Sequence, residues 1–352
     1  MSAPVTISID AMGGDSAPEI VVEGVRMAHE RLPHVRYLLF GDEKRLAPLL
    51  APYPEITGVC TVRHTDEAVS ADAKPGQVLR TGRQSSMWLA IEAVKQGEAA
   101  GVVSAGNTGA LMAAAKFVLR TLPGIDRPAI AALFPTIRGE TLMLDLGANV
   151  DCNANNLVEF AVMGDVYARA VLGLDSPSVG LLNVGSEELK GNDTVKSAAA
   201  TLRDGPIPMN FHGFVEGNDI CAGTVDVVVS DGFSGNIALK TAEGTVKLYS
   251  TFLRQAFQSS ILAKLGYLLA KRAMTKVKVR TDPRRYNGAM FLGLNGIAVK
   301  SHGGTDAFGF ANAIGVAVEL VTHGYNERIR REFDRLRAAA PLQSPQLAAG
   351  TR

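Results

Sequence analysis

Disulfide frameworks and zinc sites have little to build on in this chain: its three cysteines, Cys60, Cys152 and Cys221, stand far apart and form no Cys-x-x-Cys pair. Such sparse usage suits a reducing compartment. Charge of one sign is lacking too. With 36 basic and 35 acidic residues the formal net charge is +1, so no overall field draws the chain to nucleic acid, and any acidic partner must meet a local patch. No apolar run approaches the ~18 residues of a spanning helix. The N-terminus carries neither the basic nor the apolar segment of a secretory signal and passes straight into Val5-Thr-Ile-Ser-Ile9. The expected setting is the cytoplasm. No two glycines are separated by a single residue and no Gly-Lys dipeptide occurs, which removes the dinucleotide fingerprint and the Walker A loop. Gly-x-Ser-x-Gly and His-Glu-x-x-His are absent as well, so neither a serine hydrolase nor a zinc peptidase is suggested. No cofactor or metal is expected.

What is present is a long chain, 352 residues and 47% hydrophobic, able to bury a large core. Short β-branched runs alternate with helical patterns, the signature of a doubly wound, mostly parallel sheet in a three-layer α/β/α arrangement. Strands are expected at Thr6–Asp10, Tyr37–Gly41, Gly101–Ala105, Ala129–Phe134, Thr141–Leu146, Ser178–Val184, Asn210–Val215, Asp226–Ser230 and Gly296–Lys300. Ser16-x-x-Glu19, with Pro18 in the first turn, reads as a capping box before a helix over Ile20–His29. Further helices are expected after Thr81 through Val94, from Thr108 to Arg120, from Asn156 to Leu172 and from Thr305 to Leu336. Residues 1–337 then form one catalytic unit, and 338–352, rich in Ala, Pro and Gln, a disordered tail.

The same grammar recurs where strands end. Asp226-Val-Val-Val-Ser-Asp-Gly-Phe-Ser-Gly-Asn-Ile-Ala-Leu-Lys240 is an apolar run that breaks on Ser-Asp-Gly and re-enters a helical pattern. A helix start of this kind offers orphan N–H groups and a dipole to an anion. Val102–Gly109, Leu142–Asn149 and Leu181–Asn192 repeat the design. Since ligands of open α/β sheets sit beyond the C-terminal strand ends, the four loops suggest one composite site for a phosphate-bearing ligand. Asn107, Thr108 and Gly109 open a helix and could cradle phosphate, though Asn107 could equally be an ordinary N-cap. Lys190, ahead of Gly191 and Asn192, could place a cation on phosphate or on a developing oxyanion. Alone it would read as a solvated lysine beside Glu187 and Glu188. Asp231 and Asn236 flank Gly-Phe-Ser-Gly, where turn chemistry is the plain alternative, but their position after Val227-Val-Val229 favours a functional role. Asp10 and Asp15 bracket a Gly-Gly turn, and His302 lies on the loop Lys300–Asp306. These, with Asp145 and Asn149, are candidate walls of the site. Cys152 has no histidine nearby in sequence, and packing is its expected role.

One segment, 244–285, departs from the alternation. Val246, Tyr249, Leu253 and Phe257 recur at helical spacing, and a second short helix carries Ile261, Leu262, Leu265, Leu268 and Leu269 beside Lys264, Lys271, Arg272, Lys276, Lys278, Arg280, Arg284 and Arg285. The first stripe suits an ordinary packed helix or a partner subunit. The second suits an interfacial membrane helix, a core cover or an acidic protein.

Taken in order, Asp10-Ala-Met-Gly-Gly-Asp15-Ser-Ala-Pro, Ser104-Ala-Gly-Asn-Thr-Gly-Ala-Leu111, Asp145-Leu-Gly-Ala-Asn149, Lys190-Gly-Asn192, Asp231-Gly-Phe-Ser-Gly-Asn236 and Gly293-Leu-Asn-Gly296 with Lys300-Ser-His-Gly303 closely resemble the PlsX-type phosphate acyltransferases over Thr6–Val321. The resemblance implies transfer of a long fatty acyl group from acyl carrier protein to inorganic phosphate. The acyl phosphate would go to a glycerol-3-phosphate acyltransferase for phospholipid synthesis. It further implies a fold related to phosphotransacetylases and isopropylmalate-type dehydrogenases, a homodimer, and peripheral attachment to an anionic membrane surface. Lys190 and Asn236 are the residues it marks as required. A short-chain phosphotransacetylase, a dehydrogenase of the same broad fold and a membrane-docked scaffold without activity stand as alternatives. The dehydrogenase finds no nicotinamide or metal motif, and the scaffold leaves the loops without a purpose.

Overall fold

The computed structural model describes residues 5–339. Eleven strands form one sheet: β1 (Thr6–Asp10), β2 (Arg36–Gly41), β3 (Cys60–His64), β4 (Gly101–Ser104), β5 (Ala129–Pro135), β6 (Glu140–Leu144), β7 (Ser178–Leu182), β8 (Asn210–Val215), β9 (Val227–Val229), β10 (Ala289–Leu292) and β11 (Ile297–Lys300). Their order is β3-β2-β1-β4-β11-β10-β5-β6-β9-β7-β8. β4 and β9 are buried at every position, as expected of inner strands covered on both faces. Alternate residues feed two separate cores: Ile7, Ile9, Val103, Leu142, Leu144, Val227 and Val229 belong to one, Val102, Met143 and Val228 to the other. That period of two gives the expected three layers. The helices Glu19–Arg31 and Ala307–Thr322 cross closely on one face, where a side chain on Gly24 would meet the Phe310 ring at 2.9 Å.

The sheet changes direction in the middle. β3, β2, β1, β4 and β11 are mutually parallel. β10 runs antiparallel to β11 and to β5, and β5 antiparallel to β6. β6, β9, β7 and β8 are again mutually parallel, so they oppose β1, β4 and β11. The C-terminal ends of the two halves therefore leave the sheet in opposite directions. The four loops each follow a strand end as expected, but one chain does not gather them at one edge.

Several local expectations are corrected. β3 and β10 were not among the expected strands; β3 is a partly exposed edge strand and β10 has four residues. The first helix begins at Glu19 behind Pro18 with no side-chain cap, so the Ser16 capping box does not form. Thr81 ends one helix, Pro75–Thr81, and Ser85 caps the next, Ser86–Lys95. The helix expected over Thr305–Leu336 is two, Ala307–Thr322 and Tyr325–Ala339, parted where Gly324 takes a φ of 59°. The excursion starts earlier than Gly244: one helix spans Gly232–Gln258 and a second, not short, spans Ile261–Arg280. The tail expected from Ala338 begins inside the last helix, and from residue 340 it lies outside the described residues.

Candidate active site

At the ends of β6 and β9 the polar loops are folded around Asp145. Its buried carboxylate accepts from the backbone N–H groups of Ile130 (3.0 Å), Gly147 (3.2 Å), Ala148 (2.9 Å) and Asn149 (2.7 Å), and from Nδ2 of Asn149 (2.8 Å). Burial raises its pKa, and these hydrogen bonds offset part of that rise. Asn149 is buried and also donates to the carbonyl of Pro128. These two wall candidates are the scaffold of their loop: the Asp145 carboxylate is saturated, and both amide hydrogens of Asn149 are spent on Asp145 and Pro128.

The neighbouring loop is drawn against this scaffold. Gly232 N–H donates to the Asn149 carbonyl at 2.7 Å, and a Cβ on Gly235 would sit 2.0 Å from the Asp145 carbonyl oxygen, so only glycine fits. Asp231 caps the helix Gly232–Gln258 by accepting from Ser234 N–H at 2.6 Å, which is the turn role its sequence context allowed. Asn236 differs. It is exposed, its carboxamide has no hydrogen bond among the described residues, and its side chain lies beside Gly147, whose added Cβ would be 3.7 Å from Asn236 Oδ1.

Lys190 sits on the loop after β7, the strand next to β9. Asn183 holds this loop by donating to the carbonyls of Gly185 and Lys190, both at 3.1 Å. Gly191 follows with φ 90°, where a Cβ would meet Asn183 Oδ1 at 2.2 Å. Asn192 caps the helix Asp193–Asp204 through Val195 N–H. The Lys190 ammonium is exposed and makes no ion pair among the described residues, since Glu188 pairs with Arg203 instead. Lys190 and Asn236 thus rise from adjacent strand ends with free polar groups.

The opposite edge, after β1, β4 and β11, is braced differently. Asp10 is buried and accepts from the Ser86 and Ser104 hydroxyls, each at 2.6 Å, and weakly from Met12 N–H. Burial raises its pKa. Lys300, also buried, donates to the carbonyls of Ala105 and Ser301. Burial lowers its pKa to about 8 against the opposing pull of Asp10 and Asp15. Asp15 N–H donates to the Gly303 carbonyl, and Ser301 N–H to that of Ser104, so the three loops interlock. Asn107 caps the helix Thr108–Leu119 by accepting from Ala110 N–H, while Thr108 and Gly109 are exposed at its start. His302 is exposed, and its Nδ1 accepts from Gly304 N–H. No hydrogen bond or ion pair joins this edge to the loops of Lys190 and Asn236 among the described residues.

The family described as fatty acid synthesis protein matches residues 5–328. The phosphate acyltransferase of Paramagnetospirillum magneticum is 80% identical over 352 residues, 100% of both chains. That of Rhodospirillum rubrum is 67% identical over 333 residues, 95% of each chain. The chain belongs to the phosphate acyltransferases. Its fold recurs in the phosphotransacetylase of Streptococcus pyogenes, with TM-score 0.59 at 18% identity over 92% of this chain and 95% of that one. It recurs also in a branched-chain phosphotransacylase from Enterococcus faecalis V583, with TM-score 0.55 at 14% identity over 90% and 99%.

For an acyltransferase, the state of Cys152 is informative. The thiol is half-buried, lies 3.5 Å from the Asn149 carbonyl, and burial pushes its pKa up to about 11. It is unsuited to form a thiolate near neutral pH. The expected packing role fits. Sequence reasoning missed the buried hub residues Ser86, Ser104 and Lys300, which lie far apart in the chain. It also missed the apolar neighbours of the free polar groups, although Leu189 and Ile237 directly adjoin Lys190 and Asn236 in sequence.

Proposed function

We propose that this acyltransferase moves a long fatty acyl group from acyl carrier protein to inorganic phosphate. The phosphate oxygen attacks the thioester carbonyl directly, the tetrahedral intermediate collapses with cleavage of the C–S bond, the carrier-protein thiol leaves, and the acyl phosphate passes to a glycerol-3-phosphate acyltransferase for phosphatidic acid synthesis. The observation that carries this reading is the pair of free polar groups, the Lys190 ammonium and the Asn236 carboxamide, on adjacent strand ends. Phosphate is already partly dianionic near neutral pH, so it needs positioning and charge compensation more than a strong base. Lys190, with Gly191 and Asn192, holds it. Asn236 donates to the carbonyl oxygen as it becomes the tetrahedral oxyanion, a contact worth ~3–4 kcal/mol in such sites. No acyl-enzyme is needed, in keeping with the protonated, packed Cys152. The test supplies palmitoyl carrier protein with and without phosphate and traps product with hydroxylamine. Phosphate-dependent hydroxamate is expected, and its absence would reject the assignment.

The working unit in this proposal is a homodimer. The helix Gly232–Gln258 buries only Gly232 and Gly235 and leaves Val246, Leu248, Tyr249 and Phe252 exposed, a stripe that a second copy would cover. Rotation by a twofold axis perpendicular to the strands reverses a copy's edges. The Asn107–Gly109 helix start of one chain then faces the same way as Lys190 and Asn236 of the other, so a dimer presents both sets of phosphate-binding candidates on one side.

The helix Ile261–Arg280 has no buried residue, and Ile261, Leu262, Leu265, Leu268 and Leu269 are all exposed. With Lys264, Lys271, Arg272, Lys276 and Lys278 they fit peripheral attachment to an anionic membrane. Arg284 adds little, being paired with Asp282 and Asp306. No single helix among the described residues is long and apolar enough to span a bilayer. In flotation with anionic liposomes, Leu265→Glu is expected to leave the lipid fraction; unchanged flotation would refute attachment through this helix.

A further inference from the structure

Outside the stretch from Val246 to Val279, the exposed large apolar side chains among the described residues are Phe117, Ile137, Val150, Val184, Leu189, Phe233 and Ile237. Five of these seven stand on the segments that follow β6, β7 and β9, the last two of which carry Lys190 and Asn236. Their exposures are large: Val150 60%, Val184 80%, Leu189 91%, Phe233 59% and Ile237 50%. Leu189 precedes Lys190, Ile237 follows Asn236, and Phe233 lies one turn before Ile237 on the same helix. Val150 follows Asn149, whose carbonyl accepts from Gly232 N–H, so Val150 and Phe233 flank one backbone contact. Val184 follows Asn183, whose amide holds the Lys190 loop. Lys190 and Asn236 thereby each have exposed apolar neighbours that water solvates poorly.

We propose that this rim is the acyl-chain site: Val150, Val184, Leu189, Phe233 and Ile237 receive the alkyl chain of the donor while Lys190 and Asn236 face its thioester. The inference rests on the assignment of those two residues to the reacting centre. It adds the part of the substrate that centre leaves unexplained. An amphipathic ligand with a reactive polar head and a long apolar tail matches free polar groups flanked by exposed apolar side chains. A free phosphate ion or a short acyl group would not need those side chains. The apolar groups also belong to the segments that follow three strands, β6, β7 and β9, so they do not merely extend the stripe of one helix. Each methylene of the tail that leaves water adds to binding, and long chains therefore gain more from the rim than short ones.

The test compares native protein with the double variant Leu189→Ser/Phe233→Ser, using palmitoyl and butyryl carrier protein with saturating phosphate and hydroxylamine trapping. Both positions are exposed, and a matching melting temperature checks that the variant is folded. The ratio of kcat/KM for palmitoyl over butyryl donor is expected to fall roughly 10-fold or more, since about two methylenes' worth of contact is lost. An unchanged ratio, with both donors slowed alike, overturns the proposal. So does dissociation of the variant to monomers in size-exclusion chromatography, because the rim would then be a contact between copies. Failure of the underlying assignment looks different: the native protein itself would then yield no hydroxamate from either donor.

Discussion

Asp10 and Asp145 end strands on opposite edges of the sheet, and both are buried hubs around which a loop is wound. Asp10 is satisfied mainly by two side-chain hydroxyls and lies near a buried lysine; Asp145 is satisfied entirely by amide groups, four of them from the backbone. Their surroundings differ more. Around Asp10, Lys300, Ser104 and Asn287 spend their hydrogen bonds on neighbouring loops. Around Asp145, the hub is saturated, yet Asn236 beside it and Lys190 on the loop after the neighbouring β7 remain unpaired, each next to an exposed apolar side chain. Polar groups engaged in holding backbone together have nothing left for a substrate, whereas free groups held in place by a rigid loop can act. In the proposed reaction, Lys190 and Asn236 are assigned to the reacting centre because they remain unsatisfied.

Truncating the two hubs should separate them first. Asp145→Ala strands the donors of Ile130, Gly147, Ala148 and Asn149 without an acceptor, and a loss of ~3–5 kcal/mol in urea unfolding is expected. Asp10→Ala should cost less, ~1–3 kcal/mol, because the Ser86 and Ser104 hydroxyls can rotate to other acceptors. Equal losses would mean that the two hubs are not built differently. Asn236→Ala should do the reverse of Asp145→Ala, lowering the acyl-transfer rate by ~10²–10³-fold while leaving the melting temperature in place. A stable, fully active Asn236→Ala protein would move the reacting centre elsewhere.

The edges should also respond to pH with opposite signs. Lys300 has a folded-state pKa of about 8 against 10.5 when unfolded. Between these values the unfolded chain holds more protons, so this group makes stability rise with pH, by about 3 kcal/mol at most. Glu159, on the side of Asp145, accepts from Asp126 N–H, and burial raises its pKa from 4.5 to about 7. There the folded state holds the extra proton, and stability should fall as pH rises from 4.5 to 7. Denaturant midpoints across both windows, repeated for Lys300→Met and Glu159→Gln, should show each slope flattened in its own variant alone.

Much of this was legible in the chain. The buried runs at Val102-Val103 and Val227-Val-Val229, the glycine-rich strand exits and the order of the motifs gave the layers and the candidate residues. The reversal of the sheet was not legible, because it depends on Ala289–Leu292 pairing between two distant strands, and four residues carry no pattern that reveals direction. For the same reason the sequence could not show that Asn107 and Lys190 leave by opposite edges. Nor could it separate hub from free group: Asp145 and Asn236 look alike as polar residues beside glycine, and only their partners distinguish them. The helix expected after the Ser-Asp-Gly break, re-entering at Gly235-Asn236, starts three residues earlier at Gly232, and both glycines are needed there for close approach to Asn149 and Asp145.

The central claim is that Lys190 holds the phosphate that attacks the acyl donor. Acyl phosphate formation by Lys190→Ala should therefore be measured across a range of phosphate concentrations at fixed palmitoyl carrier protein. The account predicts a rate that no longer saturates at the phosphate concentrations that saturate the native enzyme, with a loss of ~10²-fold or more in kcat/KM for phosphate. A phosphate curve that coincides with that of the native protein would contradict it.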